Sequence, residues 1–274
     1  DKLQASLVTK IGGDTDPSEV PEEPQTRRGD LYVMGMHRLL CGDASVEHDV
    51  TALMGGEQAI CLWTDPPFLG PIDNSARGEN ADPESVRNTT NSLKSLLDGA
   101  FTQAGKVLTE NAAIYMLIPS GPNSVVFLNC FKNQGWHIRQ QLVWLKESAY
   151  SQGHHHYNMR HEPIVYGSAT RKEPEWYGPQ DADGVFEVER PPSSVTELHP
   201  TARPITLVEK CLVNSVPRNG LVYDPFAGSG ATLIAAHNVR RRAVVMELDT
   251  GYCDVIVDRW ERHTGNQAIK IRAS

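Results

Sequence analysis

Leu221-Val222-Tyr223-Asp224-Pro225-Phe226-Ala227-Gly228-Ser229-Gly230 is the stretch that decides the fold. It opens as a short apolar strand and closes as a glycine turn, and a helix is expected directly afterwards over Ala231 to Asn238. Strand, glycine turn and helix in that order form a cofactor-binding layout. The glycines let backbone approach a ligand, and the helix N-terminus adds a favourable dipole. Working outward, Ala243-Val244-Val245-Met246-Glu247 reads as a second strand ending in an acid, 23 positions after Asp224. That is close to the spacing of about 20 residues at which a carboxylate takes ribose hydroxyls. The fold class expected is α/β, a Rossmann-like, doubly wound, mostly parallel sheet.

The turn departs from the dinucleotide fingerprint, because only Gly228 and Gly230 flank Ser229 and both Asp224 and Phe226 precede them. A pyrophosphate is repelled by Asp224, whereas an amino-acid ammonium and a sulfonium are attracted by acids. Electrostatics favours S-adenosylmethionine over NAD.

A second strand end carries different chemistry. The apolar run Ala59-Ile60-Cys61-Leu62-Trp63 stops abruptly near Asp65-Pro66-Pro67-Phe68. Two prolines fix φ and carry no N–H, so this ledge offers acceptors only: the Asp65 carboxylate and the carbonyls around Pro66. Such a ledge suits a substrate with an NH2 group, and Phe68 adds a face on which a flat ring stacks. An exocyclic amine on a nucleobase meets these demands. The same tetrapeptide also serves simply to terminate a strand, and it takes the second motif to favour the chemical reading.

Taken in order, residues 1–29 read as a flexible N-terminal tail or linker, with Gly12-Gly13, several prolines and a run of acids. The chain does not begin with Met, which suggests trimming from a longer protein. Leu31 to Cys41 reads as a strand or hairpin; Asp43 follows as a ligand contact or a helix N-cap. Leu69 to Asn91 reads as a long loop, a lid or a mobile segment. A helix is expected over Ser92 to Leu108, strands at Ala112 to Ile118, Ile138 to Leu145 and Pro163 to Tyr166, and a helix at Val125 to Phe131. The domain plan is a catalytic half at 30–145, a target-recognition insertion at 146–198 with a last sheet strand near 163–167, and a cofactor-binding half at 199–274. His154-His155-His156 gives no metal site, since neighbouring histidines point apart and no Cys or acid stands at ligand spacing.

No apolar run is of membrane-spanning length and no signal-peptide layout opens the chain, so a cytoplasmic protein without a membrane partner is expected. The five cysteines are scattered and suggest neither disulfides nor zinc. A net charge of -8 counts against nucleic-acid binding. Arg240-Arg241-Arg242, Arg27-Arg28 and Arg171-Lys172 are the candidates for a local basic face, or else solvated surface.

With these residues assembled, the chain resembles the β-class amino-methyltransferases of DNA. Their catalytic (Asp/Asn/Ser)-Pro-Pro-aromatic motif precedes the cofactor motif, as Asp65-Pro66-Pro67-Phe68 precedes His199-Pro200-Thr201-Ala202-Arg203-Pro204 and then Asp224 to Gly230. Leu39-Leu40-Cys41-Gly42-Asp43, Arg160 to Gly167, and Glu247-Leu248-Asp249 through Arg259-Trp260-Glu261 are similar to phage and prophage methylases, some fused to ParB-like domains. The resemblance spans about Gly29 to Gly265 and implies a circularly permuted, seven-stranded methyltransferase sheet. It implies that Asp65, Pro66, Pro67 and Phe68 are catalytic and that Glu247, with Leu248 beside it, holds the ribose. By the same resemblance Asp43 reaches the adenine of the cofactor, and Phe226, Ala227, Gly228, Ser229 and Gly230 line its pocket. Asp224, Thr201, His199, Arg203 and Asp65 lie towards its methionine end.

The implied activity is transfer of a methyl group from S-adenosylmethionine to a base amine, N6 of adenine first, in double-stranded DNA with the base flipped out. A homodimer is a possible assembly. Alternatives are N4 of cytosine, an RNA base or protein amide, a catalytically degenerate binding partner, and a nicotinamide oxidoreductase. Two residues depart from the family pattern: Phe68 stands where Tyr is usual and Arg203 where Lys is usual.

Overall fold

The computed structural model describes residues 15–68, 83–150 and 156–272. A single sheet runs through it. Its strands are β1 (Asp30–Met34), β2 (His37–Cys41), β3 (Ala59–Thr64), β4 (Leu108–Leu117), β5 (His137–Tyr150), β6 (Met159–Ser168), β7 (Val185–Glu187), β8 (Leu221–Asp224), β9 (Arg242–Glu247) and β10 (Ile269–Arg272), in the spatial order β10-β1-β2-β9-β8-β3-β4-β6-β5-β7. The five central strands, β2-β9-β8-β3-β4, are all parallel. The helices are α1 (Glu47–Met54), α2 (Pro83–Val107), α3 (Ser124–Asn133), α4 (Ser193–Leu198), α5 (Ile205–Ser215), α6 (Ala231–Asn238) and α7 (Thr250–Thr264).

Strands buried on both faces need apolar residues at every position, and β3 and β8 supply them. In β3, Cys61 and Trp63 pack into the core formed with α5, α6 and α7, while Ala59 and Leu62 pack into the opposite core with α1, α2 and α3. In β8, Val222 joins the first core and Leu221 and Tyr223 the second. Helix α6 is buried from Ala231 to Ala236, which accounts for its apolar composition on all sides. A sheet clad by helices on both faces is the doubly wound arrangement expected.

Several elements differ from the sequence reading. Seven strands, β2-β9-β8-β3-β4-β6-β5, form the expected sheet, but three more extend it to ten. Hairpin partner β1 and C-terminal β10 pair antiparallel at one edge, and β7 pairs parallel with β5 at the other. Edge strands this short, polar on one face, carry little periodic signal. Of the expected loop 69–91, residues 69–82 lie outside the described residues, while 83–91 belong to α2. Pro83 at the first helical position and Glu84 behind it are a helix start that apolar periodicity does not register.

The insertion expected at 146–198 carries the sheet strand expected near 163–167, as β6 (Met159–Ser168). It begins inside β5 and includes β6, which pairs antiparallel with both β4 and β5.

The expected tail is fastened wherever it is described; residues 1–14 lie outside the described residues. Residues 15–29 contain no helix or strand, yet Arg259 Nε donates to the Thr15 carbonyl at 2.7 Å and Arg262 to the Asp16 carbonyl at 2.9 Å. Asp254 accepts from the backbone N–H groups of Gln25 at 2.6 Å and Thr26 at 3.1 Å. All four anchors lie on or against α7, so this strap is held by groups too far along the chain for sequence periodicity to reveal.

Candidate active site

Parallel strands present their carboxyl ends along one edge of the sheet, and four acids stand there. Asp43 follows β2, Glu247 ends β9, Asp224 ends β8 and Asp65 follows β3, on four adjacent strands. Two halves of the chain are thereby brought together, since β3 and β8 pair directly through Cys61 with Val222 and Leu62 with Tyr223. A cavity opens between them, lined on the β3 side by Trp63 and Asp65 and on the other by Asp224, Phe226, Ala227, Gly228, Ser229, Ala231 and Thr232; His199, Thr201, Ala202, Arg203 and Tyr252 form its remaining wall.

The glycine turn is built by its own acids. Asp224 accepts from Phe226 N–H at 3.0 Å and from the Thr232 hydroxyl at 2.5 Å. Glu247 accepts from Gly228 N–H at 2.8 Å and from Asp249 N–H at 3.0 Å, and Gly42 N–H donates to the Glu247 carbonyl at 2.9 Å. Gly228 and Gly230 have φ of +52° and +84°, the region that favours glycine. A Cβ at Gly230 would meet Ile256 at 3.1 Å, whereas one at Gly228 would meet nothing within 4 Å, which leaves open space over that part of the turn.

Asp65 is held differently. Arg203 donates to it through Nε at 2.5 Å and through a terminal nitrogen at 3.0 Å, a side-on bidentate pair. The other terminal nitrogen of Arg203 pairs with Glu162 at 3.0 Å, and Glu162 in turn accepts from Lys146 Nζ at 2.5 Å. The guanidinium carbon lies 5.4 Å from the Phe68 ring centre and 5.8 Å from that of Trp144. Phe68 itself stands edge-on to Phe127, with ring centres 5.9 Å apart.

Burial dominates the electrostatics. It pushes the Asp224 carboxyl up to about 7 against the Thr232 and Phe226 hydrogen bonds, with the Asp65 and Glu247 charges adding to the rise. Burial also raises Glu247, opposed by the N–H groups of Asp249 and Gly228. Asp65 is raised by burial as well, opposed by Arg203. Neither Asp224 nor Glu247 has an ion-pair partner among the described residues, so this end of the cavity is short of positive charge.

His199 adds a further unmet demand. Its Nε2 lies 2.7 Å from the Ser18 carbonyl, which only accepts, so Nε2 carries the proton. Its Nδ1 is buried without a hydrogen-bond partner. Acids without cations, an orphaned ring nitrogen and open space above Gly228 together fit a ligand that brings positive charge and N–H groups.

Of the residues expected at the site, Asp65, His199, Thr201, Arg203, Asp224, Phe226, Ala227, Gly228 and Ser229 line the cavity. Pro66, Pro67, Phe68, Asp43, Gly230, Glu247 and Leu248 do not line it; Glu247 meets it through Gly228 N–H, and Leu248 is 54% exposed at the rim. Asp43 is engaged by its own loop, where it accepts from Ser45 N–H at 2.9 Å, and the cap position of α1 is Val46. Trp63, Ala202, Thr232 and Tyr252 are wall residues the sequence did not single out, and neither were Trp144, Lys146 and Glu162 behind Arg203. Residue type alone gives no signal for them.

The basic clusters separate by position. Arg240-Arg241-Arg242 enters β9 at the edge opposite the site, where Arg241 is buried and Arg242 pairs with Glu57 at 2.6 Å. Arg171-Lys172 follows β6, antiparallel to β4, at that same far edge, and Lys172 pairs with Glu110 at 3.1 Å. Both clusters therefore lie at the edge of the sheet away from the site. Arg27-Arg28 lies at the near edge, where Gly29 N–H donates to the Cys41 carbonyl at 2.8 Å, and both side chains belong to exposed residues. All five cysteines are buried and free. Among the described residues no helix is long and apolar enough to cross a membrane, and no group of three or more His, Cys, Asp or Glu is placed to hold a metal ion. His154 and His155 lie outside the described residues.

Known proteins share the family and the fold of this chain. The chain is 23% identical over 261 residues to the type II methyltransferase M.Cfr9I of Citrobacter freundii, covering 78% of this chain and 85% of that one. It is 27% identical over 216 residues to the putative methylase YubD of Escherichia coli K12, with the same coverage. Among solved structures it shares its fold with M1.HpyAVI in complex with SAM (TM-score 0.62, 17% identity, covering 81% of this chain and 98% of that one). It also shares it with the cytosine-N4-specific PvuII DNA methyltransferase (TM-score 0.64, 13% identity, covering 89% and 98%). The family model for N6 and N4 DNA methylases matches residues 61–258, most of the chain and both strand ends of the cavity, and the chain belongs to that family.

Proposed function

We propose that this DNA methylase uses S-adenosylmethionine and methylates N6 of adenine in double-stranded DNA. The observation that carries the reading is the placement of Asp65, an acceptor at the end of β3, across one cavity from Asp224 and Gly228 at the end of β8. When bound, S-adenosylmethionine supplies an electrophilic methyl group on a sulfonium.

The rest is the work of this chain. Asp224, Glu247 and the His199 ring supply the negative and lone-pair partners that a sulfonium and an ammonium lack in an apolar cavity. Asp65 and the carbonyls around Pro66 accept N–H groups of the target amine, which favours a pyramidal nitrogen with its lone pair turned towards the methyl group. Phe68 offers the ring on which the flipped base stacks, and a purine covers more of it than a pyrimidine does. Asp65, or water, would take the proton that the cationic methylated amine gives up, so Asp65 need not be a strong base.

We read the described part of 146–198, where β5 and β6 extend beyond β4, as the region that meets the groove, and Arg27-Arg28 as its phosphate contact at the other end of the site. A second reading, N4 of cytosine, draws on the fold shared with a cytosine-N4-specific enzyme.

Digestion of DNA methylated by the protein and identification of the modified nucleoside separates the two: N6-methyladenine is expected, and N4-methylcytosine would replace the first reading by the second. Asp65→Ala should lower turnover by at least about a thousandfold while cofactor affinity, read by calorimetry, stays within about threefold. Near-normal methylation by that variant would sink the mechanism.

A further inference from the structure

Strands β5 and β6 run past the carboxyl end of β4, where the β4–β6 register stops at Leu117 opposite Ile164. Trp144 and Glu162 are direct cross-strand partners beyond that point, and Lys146 follows Trp144 by two residues, on the same face. The antiparallel pair thus carries an aromatic ring, a base and an acid up to the level of Asp65. Side-chain exposure is only 16% for Asp65, 12% for Arg203, 11% for Glu162 and 3% for Lys146. Together they form an unbroken row of alternating charge, two positive and two negative.

We propose that Glu162, anchored by Lys146, is a positioning residue for methyl transfer: it shares the Arg203 guanidinium with Asp65 and thereby fixes how the Asp65 carboxylate is presented to the target amine. The inference rests on the assignment of Asp65 as the amine acceptor.

Two carboxylates share a single cation. Arg203 engages both Asp65 oxygens, so the lone pairs left for a substrate N–H are those turned away from the guanidinium, and their direction follows the guanidinium. Glu162 holds the opposite side of the same guanidinium, and the Phe68 and Trp144 rings leave that flat group little room to turn. Lys146 in turn keeps Glu162 from being an isolated buried charge, which would be costly. Arginine suits this role because a guanidinium has nitrogens enough to face two carboxylates at once, whereas the lysine usual in the family presents a single point charge.

The charged groups facing Asp65 are Arg203 before α5, Glu162 on β6 with Lys146 of β5 behind it, and Asp224 on β8. Glu162 raises the Asp65 carboxyl and Arg203 lowers it. Removing the Glu162 charge should therefore displace the titration of Asp65 towards lower pH, and removing the Lys146 charge should displace it towards higher pH.

The test uses Glu162→Gln and Lys146→Gln in the full chain. Cofactor affinity should stay within about threefold of the parent, because neither residue lines the cavity, while single-turnover methylation falls about tenfold or more at its optimum. The acid limb of the rate profile should move in opposite directions in the two variants, by about half a pH unit or more. Glu162→Asp should recover part of the rate. The Asp65 carboxyl carbon, followed by NMR with pH, should show the same opposite displacements whether or not the protein methylates the DNA offered. A merely structural role would lower rate and stability with no movement of that titration. Displacement in one direction for both variants, or in neither, would overturn the inference. If Asp65→Ala methylates normally while the NMR displacements hold, it is the assignment of Asp65 that fails.

Discussion

The two ends of the cavity treat buried acids in opposite ways. At the β3 end Asp65 has a dedicated cation, Arg203, which is itself shared with Glu162 and backed by Lys146. At the β8 and β9 ends Asp224 and Glu247 are stabilised only by hydrogen bonds from backbone N–H groups and one hydroxyl. Charge is balanced inside the protein at the first end and left for a ligand to balance at the second. On the proposed function, a cationic cofactor is drawn to Asp224 and Glu247, and a neutral base amine is left for Asp65.

The largest way to break this contrast is to remove its cation. Arg203→Met leaves Asp65 and Glu162 buried without a shared partner, and a loss of about 3 to 5 kcal/mol in folding stability is expected by chemical denaturation. A loss under about 1 kcal/mol would mean that Arg203 is not what holds that end together.

The opposite end is probed by pH. A carboxyl raised to about 7 in the folded state and ordinary in the unfolded state binds its proton more tightly when folded. It therefore costs stability above pH 7, and that cost is relieved as pH falls through 7 towards the unfolded value. Cofactor binding runs the other way, since only the ionised form attracts a cation. Between pH 7 and 5 affinity should fall by up to about tenfold per unit while the melting temperature of the free protein gains from this group. Asp224→Asn should weaken both trends, and trends unchanged in that variant would assign them elsewhere.

A smaller effect sharpens the geometry of the turn. Gly230→Ala meets both an unfavourable φ and Ile256, and should cost about 1 to 2 kcal/mol of stability. Gly228→Ala pays the backbone strain without a clash, so a greater stability loss there than at Gly230 would contradict the open space over Gly228.

Much of the scaffold was legible because buried strands announce themselves. Ala59 to Trp63 and Leu221 to Tyr223 are apolar on both faces, and the acids that follow them stand out against that background. Strands β7 and β10 were not legible: they lie at sheet edges with Val185, Ile269 and Ile271 exposed, and at three and four residues even the Ile269-Lys270-Ile271-Arg272 alternation of β10 is too short to mark a strand. The strap at 15–29 escaped for another reason. Its order comes from Arg259, Arg262 and Asp254, more than two hundred residues away, and its own composition reads as a linker.

By itself the sequence determined which chemical groups stand at strand ends: Asp65 with two prolines and an aromatic ring, Asp224 before a glycine turn, Glu247 one strand later. These are local properties, set by residue type and by the periods of strand and helix. Only the tertiary structure decided that β3 lies beside β8, that Arg203 pairs with Asp65 across 138 residues of chain, and that Glu162 and Lys146 complete the row. Coulombic and hydrogen-bond energies depend on separations of a few ångströms and on exclusion of water, and neither exists until the sheet has closed the distance.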